Sequence, residues 1–353
     1  MKAMSQPLKS SVKILIGNTF AGLKLFQHKL PCHPTTLVKW RQRIGEKGVE
    51  KLLKHTIDTA KREAFLPEEL LKNVNVDTTV QEKAITFPTD TKLCHRMRIH
   101  LVQAAKKRGV KLRKTYLRLG KIACIMQGRY AHAKQMKRAK KSFKKVKMYL
   151  GCVMRDIIRQ VDLSKDPDLA FLISQSQRLL NQEKNTPKKL YSLHAPEVEC
   201  ISKGKAHKRY EFGCKASVVT TCKDPWVLSV IAHHGNPYDG ATLKECLKKA
   251  EENAESKIKY AFADKGYRGK SHHPEEVEVL ISGRRNLPAR LKKLLKGRSG
   301  IEPIIGHLKQ DHRLNRNYLL GKVGDKINAI LSGCAFNLLK MIRLINMQQC
   351  HLN

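Results

Sequence analysis

The chain has 353 residues, room for about two domains of typical length. Hydrophobic residues at 41% and charged residues at 28% exclude a disordered or collagen-like chain. Seventy Lys and Arg against thirty Asp and Glu leave a formal charge of +40, a self-repulsion that an enzyme of small metabolites does not need and that points to a polyanionic partner, nucleic acid first.

No run of about 18 uninterrupted apolar residues is present, so a membrane partner is not expected. The partly apolar stretch 12–25 is broken by Lys13, Asn18 and Lys24 and has no cleavage site after it; it reads as a helix edge rather than a leader. Ten scattered cysteines without a C-x-x-C pair fit free thiols in a reducing cytoplasm.

Residues 1–70 read as helical, and the resemblance described below implies that they form a DNA-binding domain. Thr35 or Thr36 can cap a helix that Gly45 closes at its C′ position, and a second helix follows from about Val49 to Lys61. The pair is compatible with a helix-turn-helix, although plain packing is the stronger reading, and Trp40 reads as core or local packing rather than a base stacker. Val74 to Val80 is a β-branched strand with Asp77 at its centre. An insertion over 90–185 comes next. No acid occurs between Asp90 and Asp156, while residues 91–155 hold 21 Lys and Arg. Leu93, Met97, Leu101 and Ala104 give one apolar stripe, Leu117, Ile122, Ile125 and Met126 a looser one, and Phe143 to Ile157 a third. Two or three basic helices are therefore expected. Surface helices usually mix charge signs, so Lys137, Arg138, Lys141, Lys144 and Lys145 are candidates for tracking DNA phosphates.

Residues 180–195 look like a linker. Strands follow at 210–221, 226–232, 259–263 and 277–281, with Asp239 placed to cap a helix running to about Ala254, and a last amphipathic helix over about 325–344. The pattern predicts an α/β fold with a mixed sheet, residues 71–345 forming the core domain and 346–353 a tail.

Three acids stand out. Asp77 lies inside an apolar strand, and Asp264 ends another before Lys265-Gly266; taken singly, each is explained by solvation or by a turn. On a helical wheel Glu302 falls on the same edge as Arg298 and Lys309, although Ser299 and Glu302 could equally form a capping box. Three carboxylates converging beside a basic surface suit two Mg²⁺ ions, with Mn²⁺ as a substitute, in phosphoryl transfer. Asp239 is the reserve acid. His233-His234 with Asn236 is a weaker nuclease-like alternative, and Tyr238 reads as local packing.

The stretches Val76 to Gln81, Ala263 to Gly269 and Arg298 to Lys309 resemble those of DDE transposases of bacterial insertion sequences, of the insertion-sequence-five type. Tyr191 to Glu197, Lys203 to His207 and Gly235 to Gly240 are also family-like, and the resemblance runs from about Phe26 to about Met341. Arg298, Glu302 and Lys309 keep the family's Arg, Glu and Lys spacing, whereas Leu295 stands where a Tyr is frequent, and the N-terminal region reads as short. The resemblance implies an RNase H-like catalytic core with a helical N-terminal domain. Asp77, Asp264 and Glu302 would be the catalytic, metal-binding acids, and Arg298 and Lys309 would lie on DNA phosphate near the cut. It further implies Mg²⁺-dependent cutting of terminal inverted repeats and joining to target DNA, in a homodimer or larger complex on nucleoid DNA in the cytoplasm. A copy that binds ends without cutting, and a non-catalytic basic nucleic-acid-binding protein, are the alternatives.

Overall fold

The computed structural model describes residues 33–183, 185–202 and 209–352. The stretch 12–25 and the motif at 203–207 lie outside the described residues. The chain divides into two compact units, residues 1–51 and 52–353.

In the first unit, helix α1 (Pro34–Arg62) begins and is broken at Gly45, whose φ of 61° and ψ of −169° leave the helical region. That positive φ is the conformation the C′ reading required. Leu37, Val38 and Trp40 are exposed, so Trp40 is not a core residue.

The second unit is built on a mixed sheet. Strand β1 (Asn73–Glu82) pairs antiparallel with β3 (Tyr210–Thr221) and parallel with β5 (Tyr260–Ala263). On its other edge β3 pairs first with β2 (Glu199–Ser202) and then with β4 (Val227–His233), while β5 pairs with β6 (Glu278–Ile281). The three parallel strands, β1, β5 and β6, are the buried, β-branched or small-residue runs that covered parallel strands require. Helix α7 (Leu243–Ala254) covers one face, where the Ser217 hydroxyl meets the Thr242 hydroxyl at 2.9 Å. The other face carries α9 (Ile301–Gln310) and α10 (Gly321–Leu352); Cys214, Val218 and Val230 pack there with Ile304, Leu308 and Ala329. Residues 346–352 continue α10. By length and composition α10 could cross a membrane, but here it packs on β4 and contributes a buried acid, Asp325.

The insertion has a core of its own. Helices α3 (Asp90–Lys107), α4 (Leu117–His132), α5 (Met136–Gln160) and α6 (Pro167–Asn181) bury Leu93, Met97, Leu101, Leu150, Ile157 and Leu169 together. Thr89 caps α3, and Asp166 caps α6 at the Leu169 amide while pairing with Arg108. The looser stripe does not become core: Leu117, Ile122 and Ile125 are exposed, and α4 packs instead through Gly120 and Ala123. Gly120 lies against the buried guanidinium of Arg98, where a Cβ would come within 2.9 Å of Nε, so only glycine allows that approach. Within the expected linker of 180–195, Gln182 and Leu190 are held in place. Gln182 is buried, donates to Asp90 and Leu190 O, and accepts the Leu190 amide.

Candidate active site

Asp77 sits mid-strand, and Asp264 follows the last residue of the neighbouring parallel strand. The register pairs Val74 with Ala261 and Asn75 with Phe262; carried two residues further, it sets Asp264 beside Asp77. Adjacent strands are about 4.8 Å apart, so two carboxylates meet at this edge. Each is pinned by a local amide. Thr78 N–H donates to Asp77 Oδ1 at 2.7 Å, and Gly266 N–H donates to Asp264 Oδ1 at 2.8 Å.

Asp239 joins them, and here the structure corrects the sequence reading. Its side chain makes no helix-capping bond. Oδ1 instead accepts from the Thr78 hydroxyl at 2.9 Å and from Lys215 Nζ at 2.8 Å. A Cβ placed on Gly266 would lie 2.9 Å from Asp264 Oδ1 and 3.2 Å from Asp239 Oδ2. Those two oxygens are therefore no farther apart than the two distances laid end to end. The buried Tyr267 hydroxyl has no hydrogen-bond partner. Burial, then Cys246 and the charges of Asp77, Asp239 and Asp264, push its phenol well above the ordinary value. A single phenol thus feels all three aspartates.

Glu302 arrives from the opposite layer. It lies in the first turn of α9, whose N-cap, Gly300, makes no side-chain cap; the Ser299 to Glu302 capping box does not form. Arg298, in the 3₁₀ turn before the helix, links the layers: Nη1 is 3.6 Å from Asp77 Oδ2 and Nη2 is 3.6 Å from Glu302 Oε1. Arg298 and Asp77 are mostly buried, whereas the Glu302 side chain is 64% exposed and free to swing. Lys309 lies seven residues on, roughly 10 Å along the helix, with its Nζ 4.0 Å from Glu211 Oε2.

The donor set is all carboxylate oxygen, the chemistry a hard divalent cation selects, and the unpartnered Tyr267 hydroxyl and the cationic Arg298 mark the ground such a charge would share. These groups fit Mg²⁺ without any His or Cys. On the insertion, Lys137, Arg138, Lys141, Lys144 and Lys145 are all exposed, opposite the buried Ala139, Val146 and Leu150. Lys147 faces inward to the carbonyls of Leu180 and Gln182. His233 is buried, and its Nε2 shares a 2.9 Å hydrogen bond with the Ser217 hydroxyl. Tyr238 is partly exposed and donates to Arg268 O.

Sequence reasoning missed the roles of Lys215 and Tyr267. Tyr267 lay inside a stretch already singled out; Lys215 carried no signal beyond being a cation in a strand.

A mixed sheet with one acid inside β1, a second just past the end of the neighbouring parallel β5 and a third on a crossing helix is an RNase H-like arrangement. Residues 185–338 match the model of the transposase DDE domain, so over this stretch the chain is similar to DDE transposases. The matched stretch contains Asp239, Asp264, Arg298, Glu302 and Lys309; Asp77 precedes it and enters the same sheet through β1. The chain is also similar to a Rhizobium meliloti protein described as "Uncharacterized protein ORF8 in nfe locus", with 47% identity over 116 residues, 33% of this chain and 56% of that protein. The chain thus spans little more than half of that relative's length. No solved structure matches the chain.

Proposed function

We propose that the chain is a transposase that cuts DNA at the ends of an insertion sequence and joins the freed ends to target DNA. The observation that carries this reading is the gathering of Asp77, Asp239 and Asp264 around Tyr267, with Arg298 bridging Asp77 to Glu302. Asp77, Asp264 and Glu302 are the proposed catalytic acids, and Asp239 is promoted from reserve to a companion in the same cluster. Two Mg²⁺ ions held by these oxygens would supply Lewis-acid activation of the attacking and leaving oxygens, with Mn²⁺ as a substitute.

The protein's own groups do the positioning. Thr78 and Gly266 amides fix one oxygen of Asp77 and of Asp264, and Arg298 stands 3.6 Å from the other oxygen of Asp77. Lys215 and Thr78 hold Asp239 by Oδ1, so Oδ2 is turned toward Gly266. Arg298 can exchange its carboxylate partners for a DNA phosphate, since a guanidinium matches both in fork geometry. The exposed cations of α5, with Lys309, would guide double-stranded DNA, both terminal inverted repeats and target, in a homodimer or larger complex on the cytoplasmic nucleoid. The domain reading, with residues 1–70 as a DNA reader and 71–345 as the catalytic domain, belongs to the same proposal.

The test is cleavage of labelled duplexes carrying the element's own termini, with Mg²⁺ and with EDTA. Asp77→Asn, Asp264→Asn and Glu302→Gln should each abolish cutting and leave binding intact. Cutting retained in any one of them removes that residue from the site; cutting in EDTA removes the metal.

A further inference from the structure

A second cluster of ligand-type side chains lies away from the DDE acids, where β3, the end of β4 and α10 meet. Cys214 on β3, His234 just after β4, and Asp325 on α10 each offer one donor atom, and these atoms all lie within 4.8 Å of one another. Both ring nitrogens of His234 are shut off from solvent and have no hydrogen-bond partner. Buried polar groups are almost always partnered, so a histidine orphaned at both ends needs an explanation.

The surroundings specify the missing partner. Asp325 Oδ1 is taken by Lys83 Nζ at 2.7 Å and by Asn317 Nδ2 at 2.6 Å, whereas Oδ2 faces His234 Nε2 at 3.6 Å. The opposite nitrogen, Nδ1, faces Glu199 Oε1 at 3.8 Å. A carboxylate behind one nitrogen of an imidazole is the arrangement that orients metal-binding histidines through the other. The charge balance agrees. Lys83, 3% exposed, pairs with Asp325 and, at 2.8 Å, with Glu197, and Glu199 brings a third carboxylate. Two carboxylates thus share the one buried ammonium and a third, Glu199, stands against His234, with Lys322 only at the exposed rim. Buried negative charge left uncompensated is costly, and a divalent cation removes that cost.

We propose that Cys214, His234 and Asp325 bind a borderline-soft divalent cation, Zn²⁺ as the probe, which ties the central sheet to α10. A thiolate, an imidazole and a carboxylate with an open fourth position form a zinc-type set, and Mg²⁺ or Ca²⁺ would prefer oxygen alone. Tetrahedral ligands at zinc bond lengths stand roughly 3.5 Å apart, so the side chains close by about 1 Å on binding. Binding deprotonates the Cys214 thiol, and that proton goes to solvent. The tie also steadies the turn that leads from His234 to Asp239.

The test uses the full chain, stripped of metal with a chelator and held reduced by a non-thiol reductant, titrated with Co²⁺. One equivalent should give a sulfur-to-cobalt charge-transfer band that Zn²⁺ bleaches. Cys214→Ala should lose the band and the rise in melting temperature that Zn²⁺ gives the wild type, whereas Asp77→Asn with Asp264→Asn should keep both. Should the Cys214 variant fail to fold, Glu199→Gln, which removes the group behind the imidazole, should weaken Co²⁺ binding roughly 10–100-fold. No charge-transfer band in the folded wild type, a band surviving in folded Cys214→Ala, or an unchanged affinity in Glu199→Gln would each overturn the proposal.

Discussion

Replacing Gly266 by alanine places a single methyl group between two acids of the candidate active site. The added Cβ would lie 2.9 Å from Asp264 Oδ1 and 3.2 Å from Asp239 Oδ2, where ordinary contact begins near 3.4 Å. The first oxygen must retreat by about 0.5 Å and the second by about 0.2 Å. Both are ends of side chains, so the stability cost is about 1 kcal/mol, partly offset by the smaller conformational freedom of alanine in the unfolded chain. The cost to chemistry is larger, because a displacement of about 1 Å at a reacting centre can lower the rate roughly 100-fold. Gly266→Ala should therefore cut terminal DNA roughly 10-fold or more slowly in single turnover, with its melting temperature and DNA affinity near those of the wild type. Gly128→Ala is the control. Nothing lies within 4 Å of its Cβ and it is in the interior of α4, so it should gain about 1 kcal/mol and leave cutting unchanged. Wild-type cleavage by Gly266→Ala would show that the two carboxylates do not act from these positions.

Other outcomes follow from the charged groups. Lys83→Met should destabilise the fold by about 3–5 kcal/mol in chemical denaturation, because it leaves buried Glu197 and Asp325 without their cation; a loss under about 1 kcal/mol would refute that accounting. Burial lowers the pKa of His95, His100, His233 and His234 from the ordinary 6.5, with carboxylates such as Glu245 and Asp325 only partly opposing it at the last two. The unfolded chain then holds more protons than the folded one as pH drops below about 6.5, so stability should be full above that pH and fall beneath it. Urea unfolding at pH 7.5, 6.5 and 5.5, each value an approximate setting, checks this, and stability that is flat or rises on acidification contradicts it. Exchanging Lys137, Arg138, Lys141, Lys144 and Lys145 for Gln should reduce the slope of log affinity against log salt by up to about 4.5; an unchanged slope would mean that α5 does not track DNA.

Much of the site was visible in local sequence, for a local reason. Asp77 and Asp264 interrupt apolar runs, and a carboxylate inside a strand or at its end is anomalous without any partner in view. Strand β3 was legible over its full 12 residues because β-branched and aromatic residues fit a half-buried pleat. Asp239 shows the limit. Its position before a helix reads locally as a cap, yet its partner, Thr78, is 161 residues away. The second stripe of the insertion shows another: Leu117, Ile122 and Ile125 have helical spacing, but which face of α4 is covered depends on how closely Gly120 lets it approach α3.

The +40 charge and its acid-free block were fixed by composition, since charge needs no fold to be counted. The strand order, however, was a tertiary decision. Laying β5 beside β1 turned two isolated aspartates into neighbours. Packing α9 across the sheet brought Arg298 to Asp77 and Glu302 to Arg298. The same packing joined Lys83 to Asp325 across 242 residues and assembled Cys214, His234 and Asp325. Sequence reports periodicity and chemical type over a few turns of chain; which distant side chains share one desolvated space is settled only when layers of secondary structure bury one another.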